Sequence, residues 1–329
     1  MKYGKVAVFT QPGETIRIIE EEIQLPERDE ILVRVLIAGI CGSDVHRLKG
    51  DIPIKSTGVT FGHEAVGIIE SLGEQVNTDS LGNVNWPPPV GKPNGACFRQ
   101  YATLSSKCVY IRVPSAVAPE DVITFGCGMP TALRGLKQIG DISPNTDVVV
   151  QGSGPVGLAC TLLLSLAGAR SIIVIGDPAH RLEAATLLGA THTVSLTNTT
   201  PESRLRLVND ITEGRGAGIV VEAAGVAAAF PEGLDLVGMD GRYLILGLYS
   251  GNSKVLIDPV RINNYNLHVI GSLGLDVDSY KKTVDIASEH GKRLRFSNLI
   301  THRFRLDQLQ EALSLVGLGI PIKAVVVPN

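Results

Sequence analysis

Between Gly39 and His46 the chain reads Gly39-Ile40-Cys41-Gly42-Ser43-Asp44-Val45-His46, so a thiol, a hydroxyl, a carboxylate and an imidazole lie close together in sequence. A second imidazole and carboxylate follow at Phe61-Gly62-His63-Glu64-Ala65, and a second thiol sits in the glycine-flanked turn Phe125-Gly126-Cys127-Gly128. Two thiolates and an imidazole are donors that suit zinc. Three protein donors leave a fourth position for water or substrate, the arrangement of a catalytic rather than a structural zinc. Each residue taken singly also has a plainer reading. A cysteine is often a small buried hydrophobe, and a histidine often a hydrogen-bonded core residue. Spacing alone leaves both open.

A different chemistry is carried by Gly152-Ser153-Gly154-Pro155-Val156-Gly157, which fits G-x-G-x-x-G. It follows the strand-like run Asp147-Val148-Val149-Val150 and opens an apolar helical run, the context that a dinucleotide fingerprint requires. Gly152 serves the tight turn, Gly154 the approach of backbone to a pyrophosphate, and Gly157 close helix–strand packing. The helix N-terminus offers free N–H groups and a positive dipole end to the phosphates. The next strand-like run ends Ile175-Gly176-Asp177-Pro178, with His180 and Arg181 close behind. Asp177 stands near the place where an acid accepts hydrogen bonds from the adenosine ribose and repels a 2′-phosphate. NAD is therefore expected ahead of NADP. The strand-terminal place belongs to Gly176, however, and Asp177 could also simply cap the helix beginning at Pro178-Ala179.

Two kinds of element must position these groups. Up to about residue 120 the chain reads as short β-branched strands, such as Val6–Phe9, Ile31–Ile37 and Ala65–Glu70, broken by Gly, Pro and Asp. The run Trp86–Gly95, with four prolines, reads as an extended loop. From about 128 strands alternate with helix-length segments: Asp147–Val150, Val156–Ala167, Ser171–Ile175, Arg181–Leu188, Ile219–Val221 and Tyr243–Leu246. That alternation implies crossover units and a parallel sheet. Two helical segments, Tyr280–Glu289 and Leu306–Leu315, precede a last strand, Ala324–Val327.

Composition narrows the function. With 44% hydrophobic and 19% charged residues, the chain can bury large cores and is not intrinsically disordered. A formal net charge of −3 and no long Lys/Arg block give no support to a nucleic-acid or anionic-membrane partner. The charge-free stretch Val148–Ala169 is long enough to span a bilayer, but its glycines and proline make it a strand, a turn and a buried helix. The N-terminus lacks the apolar segment of a signal peptide, so a cytoplasmic location is expected. Five widely spaced cysteines make a disulfide framework unlikely and favour metal binding or burial.

Taken in this order, the cysteine–histidine motifs, Gly126-Cys127-Gly128, the glycine turn, Val221-Glu222-Ala223-Ala224-Gly225, Gly241–Gly247 and Ile322-Lys323-Ala324-Val325 resemble the zinc-dependent medium-chain dehydrogenase/reductase (alcohol dehydrogenase) family nearly end to end. The resemblance implies an α/β fold: a Rossmann doubly wound parallel sheet over 128–273, and a mainly β, GroES-like catalytic domain built from 1–127 and 274–329. Substrate and zinc would lie in the cleft between them. It implies Cys41, His63 and Cys127 as zinc ligands, with Glu64 beside the metal and Asp44 orienting His63. Ser43 would take the substrate proton and His46 pass it toward solvent. Thr131 and Val156 would contact the nicotinamide. Gly152, Gly154, Pro155, Gly157, Asp177, Arg181 and Lys323 complete the cofactor site, Lys323 on the pyrophosphate. The partner is a small alcohol or carbonyl compound, with a lean toward secondary or cyclic alcohols from Gly128–Leu136, and Ile52, Trp86 and Met129 are candidates for the pocket wall. A homodimer or homotetramer is expected.

Two departures from the family pattern stand out. Between Ser71 and Tyr101 the chain has only Cys97, where most relatives carry four cysteines on a structural zinc, so one catalytic zinc and no structural zinc is expected. The region Thr78–Trp86 also replaces a segment that helps to wall the substrate pocket and support subunit contacts in the family. Rival readings are a zinc-free quinone or enoyl reductase of the same superfamily and a non-catalytic nucleotide-binding protein. The intact cysteine–histidine set argues against both.

Overall fold

The computed structural model describes residues 2–53, 58–76, 83–86, 96–105, 108–250 and 253–328. The proline run after Trp86, the segment 77–82 and the side chain of Trp86 lie outside the described residues. The chain divides into two compact units, Met1–Cys127 with Tyr280–Asn329, and Gly128–Ser279.

In the first unit β1 (Tyr3–Val8) and β2 (Arg17–Glu22) form an antiparallel pair. The long strand β3 (Glu30–Gly39) is followed by helix α1 (Gly42–Lys49), β4 (Ala65–Leu72), β5 (Asn83–Trp86), β6 (Tyr101–Ser105) and β7 (Ile111–Val113). Short helix α2 (Pro119–Ile123) ends this part of the chain. Strand β3 pairs with β4 and β6, and most of its residues are buried, as strands flanked and covered must be. Val33, Val35, Phe98 and Leu104 share its core with Leu313 and Val326 from the end of the chain.

The second unit begins with α3 (Gly128–Gln138) and continues β8 (Asp147–Gln151), α4 (Pro155–Leu166), β9 (Ser171–Gly176), α5 (Ala179–Leu187), β10 (His192–Ser195), α6 (Pro201–Ile211), β11 (Ala217–Glu222), α7 (Ala229–Leu236), β12 (Val237–Ile245), α8 (Pro259–Asn264) and β13 (His268–Gly271). Its six strands are all parallel, in the order β10-β9-β8-β11-β12-β13. Chain order thus reverses between β8 and β11, the doubly wound arrangement. Every residue of β8 and β9 is buried, which is why Val148–Val150 and Ile172–Ile175 read as unbroken apolar runs. The stretch that could have spanned a membrane is β8 and α4, and no helix among the described residues is long and apolar enough to cross one.

Helix α9 (Val277–Ile286) leads back to the first unit. There β14 (Ile300–Arg305) pairs in parallel with β15 (Lys323–Val327), and β15 joins β3 antiparallel. The mainly β unit and the parallel α/β unit are the two architectures that the sequence implies. The second break differs. The resemblance puts it at 273/274, whereas the units part at 279/280. Tertiary bonds explain the shift: Arg134 donates to the Leu273 carbonyl and faces Asp276 at 3.9 Å, and Gln138 donates to Ser272 Oγ at 2.8 Å. These contacts hold residues 272–276 against α3.

Candidate metal centre and nucleotide crevice

Cys41 stands where β3 has ended and α1 begins, as the N-cap of that helix. Three residues on, Asp44 is fully buried, and its carboxylate accepts from the Cys41 backbone N–H at 3.1 Å and from Arg47 at 3.2 Å. His63 and Glu64 lie immediately before β4, and His63 Nδ1 faces Asp44 Oδ1 at 3.3 Å. That is ion-pair distance, although the alignment is too poor for a hydrogen bond. Asp44 therefore holds one candidate ligand by its backbone and steers the ring of another.

The third candidate is set by Gly126. Its φ of +53° lies in the left-handed region, and a Cβ there would fall 2.1 Å from Glu64 Oε2. Gly39 has the same relation to this oxygen, also at 2.1 Å. Both glycines are required because the Glu64 carboxylate fills the space between β3 and the Cys127 turn. Glu64 Oε1 accepts from the Cys127 N–H at 2.8 Å, and Oε2 pairs with Lys323. Lys323 also donates to the Ile40 carbonyl at 3.2 Å. Glu64 and Lys323 are both buried, so each neutralises a charge that would otherwise stand alone in the interior.

Cys41 Sγ and Cys127 Sγ are 3.5 Å apart, and one donor atom from each of Cys41, His63, Glu64 and Cys127 lies within 4.8 Å of the others. A tetrahedral zinc with metal–sulfur bonds of about 2.3 Å has a sulfur–sulfur edge of roughly 3.8 Å. The donor set and its spacing fit that ion. The hydrogen bond with Cys127, then His63 and Lys323, hold the Cys41 thiol well below its usual range against the effect of burial, while the same hydrogen bond and burial push Cys127 well above it. Burial opposes a charged His63, yet Asp44 and Cys41 hold it well above its usual range. Without an ion the cluster thus holds a thiolate at Cys41 and protons on Cys127 and His63, which a metal ion would displace on binding.

The glycine turn builds the second site. Gly152 has φ +108°, and a Cβ at Gly157 would come within 1.9 Å of the Gly152 carbonyl oxygen, so the turn and α4 pack backbone to backbone. A Cβ at Gly154 meets no protein atom within 4 Å, which leaves its outer face open. No side chain caps α4, whose first residue is Pro155. A cavity of about 340 Å³ lies alongside, lined by Gly152, Ile175, Leu196, Arg204, Ala224 and Val226. Apart from Arg204, which reaches in from α6, these residues lie at or just past the carboxyl ends of β8 to β11, where the strand order reverses and doubly wound sheets bind their ligands. Residues and cavity together fit a dinucleotide.

The other expected site residues are placed as follows. Ser43 is half-buried in the first turn of α1, and His46, further along it, pairs through Nδ1 with Asp51 Oδ2 at 2.9 Å. Thr131 is half-buried in α3, whose first residue packs on the backbone of Pro155 and Val156. Two residues have partners other than those expected. Lys323, expected at a pyrophosphate, is engaged with Glu64 and Ile40 because the interior carboxylate needs a counter-charge. Asp177, expected at a ribose, accepts instead from Ser195 Oγ at 2.9 Å and from the Thr197 N–H at 2.8 Å.

Several contributors escaped sequence reasoning. Glu222 is fully buried and its Oε1 accepts from the N–H groups of Ala224 and Gly225 at 2.8 and 2.7 Å, shaping the loop beside the cavity. Tyr280 is buried in the first unit without a hydrogen-bond partner for its hydroxyl, and its phenol is pushed upward by burial and then by Cys127 and Glu64. The Cys97 thiol donates to the Glu64 carbonyl at 3.3 Å. All five cysteines are free, and Cys160 is a core residue whose thiol burial has pushed up to about 12.

Comparison with known proteins agrees with this geometry. Residues 27–129 match the alcohol dehydrogenase GroES-like domain, and residues 155–289 match the zinc-binding dehydrogenase family. The chain is 36% identical to 5-exo-hydroxycamphor dehydrogenase of Pseudomonas putida, covering 99% of each. It is 26% identical to L-threonine 3-dehydrogenase of Bacillus subtilis over the whole of both chains. An alcohol dehydrogenase structure from Thermotoga maritima superposes with a TM-score of 0.91 at 26% identity, with full coverage of both chains. The chain belongs to the zinc-dependent medium-chain dehydrogenase/reductase family. It is an enzyme of the alcohol dehydrogenase type, an oxidoreductase that works with zinc and NAD(P).

Proposed function

We propose that the substrate is a secondary or cyclic alcohol, oxidised to its ketone, or the ketone in reverse. The convergence of Cys41, His63 and Cys127 carries this reading, with sulfur atoms 3.5 Å apart. These three residues would hold one zinc per chain, which would supply Lewis-acid polarisation of the substrate oxygen. Asp44 keeps the His63 ring oriented. Ser43 accepts the substrate hydroxyl proton, and His46, half-exposed and paired with Asp51, hands it toward solvent. Glu64, fixed by Lys323 and the Cys127 N–H, keeps a carboxylate at the edge of the cluster. The Gly152–Gly157 turn and the α4 N-terminus hold the coenzyme pyrophosphate, with Thr131 and Val156 toward the nicotinamide. The preference for a cyclic secondary alcohol is supported by the relative named for 5-exo-hydroxycamphor. A homodimer is supported by β13, an edge strand whose Val269 is exposed.

The test is turnover followed at the reduced-nicotinamide absorbance band with a panel of secondary and cyclic alcohols, alongside metal analysis. About one zinc per chain is expected, with turnover abolished by a chelator. Cys41→Ala should lose zinc and turnover while still binding reduced coenzyme. Full activity in metal-free enzyme would overturn the reading and favour the zinc-free reductase. Two tightly held zinc ions would overturn the stoichiometry.

A further inference from the structure

Strand β9 ends at Gly176, and a Cβ built there lies 2.4 Å from Ser153 Oγ and 2.8 Å from Ser153 Cβ. Position 176 therefore looks at the glycine turn. Asp177 looks away from it. Its two oxygens accept from Ser195 Oγ at 2.9 Å and the Thr197 N–H at 2.8 Å, both at the end of β10. In the sheet β10 and β8 lie on opposite sides of β9, and the glycine turn follows β8. The acid is one residue late, and its carboxylate is consumed in joining the β9–α5 turn to β10. The ribose-facing position carries no side chain, Ser153 closes it with a hydroxyl that donates to the Asp177 carbonyl at 3.2 Å, and the first turn of α5 holds His180 and Arg181 but no acid.

Given the dinucleotide reading above, we infer that the adenosine end of this coenzyme site lacks the carboxylate that excludes a 2′-phosphate, so the enzyme accepts NADP(H) as well as NAD(H). An acid facing the ribose would accept its 2′-hydroxyl and repel the phosphate, while a serine hydroxyl, a helix N-terminus and a nearby arginine do not. Asp177 acts as a structural tie between neighbouring strand ends.

The test is fluorescence titration of the full-length enzyme with NADPH and with NADH. The expected result is NADPH affinity no more than tenfold below that for NADH. Asp177→Asn should change the NADH dissociation constant by less than threefold while lowering the melting temperature. Placing an acid at the position that faces the turn, as Gly176→Asp with Ser153→Gly to clear the space, should move the ratio toward NADH by at least tenfold. This gain is one that a merely structural effect would not produce. A preference for NADH beyond tenfold in the unmodified enzyme overturns the inference, and its loss in Asp177→Asn would identify Asp177 as the reader after all. Binding of neither nucleotide would instead overturn the dinucleotide reading on which the inference rests.

Discussion

Lys323→Met separates two roles for a single ammonium. Lys323 is 2% exposed and its partner Glu64 4%, so the pair is buried. Removing one member of a buried pair typically costs ~3–5 kcal/mol, because the other charge is left without compensation. For a domain of this size each kcal/mol moves the melting temperature by ~2–4 °C, so a fall of roughly 6–20 °C is expected. Burial works against a charged Lys323, yet Glu64 and then Cys41 raise its pKa, so the ammonium persists across the neutral range. Adding Glu64→Gln should recover part of the loss, since the amide still accepts from the Cys127 N–H while the unpaired charge is gone. The assay is thermal and urea unfolding of the three variants, with reduced-coenzyme binding measured in parallel. A melting temperature within 2 °C of the parent, together with a tenfold or greater loss of coenzyme affinity, would refute this reasoning and return Lys323 to the pyrophosphate.

Three further outcomes follow from the same geometry. Asp44→Asn removes the charge that steers His63, and metal affinity should drop by ~10–100-fold in a competitive chelator titration; unchanged affinity would mean that the ring needs no such partner. Asp147 is buried and, although burial works the other way, Arg170 and Ser171 lower its pKa, so its stabilisation is complete above about pH 4, its unfolded value, and lost as pH falls through the lower folded value. Asp147→Asn should therefore destabilise by ~1–3 kcal/mol at pH 7 and narrow its gap to the parent below about pH 4, read from unfolding curves across pH. Val269→Lys puts a charge on the open edge of β13 and should shift the enzyme toward monomer in size-exclusion chromatography with light scattering; a parent that is monomeric at all concentrations would sink the edge-pairing proposal.

Much of the framework was present in residue order. The apolar runs of β8 and β9 and the glycine turn between them are local signals, because the middle of a parallel strand covered on both faces is apolar and a backbone-to-backbone turn must be glycine. Helix α6 was missed although its start was legible. Thr200 and Ser203 cap each other, with the Thr200 N–H donating to Ser203 Oγ at 2.9 Å and Pro201 at the first helical position, but its polar surface gives only a weak apolar period.

The sequence by itself determined which chemical groups are available: two thiols, an imidazole, an interior carboxylate and a phosphate-binding turn, each announced by glycines that make room for it. Tertiary structure alone decided their partners. The Cys41 and Cys127 sulfurs meet only because β3 and the Gly126 turn close on the same Glu64 carboxylate. Lys323 answers that carboxylate across most of the chain's length, since a buried charge must find its opposite wherever the fold supplies it. Asp177 turns toward β10 because it stands just past the end of β9, where Ser195 and the Thr197 N–H meet its carboxylate, a difference in direction that counting residues cannot register.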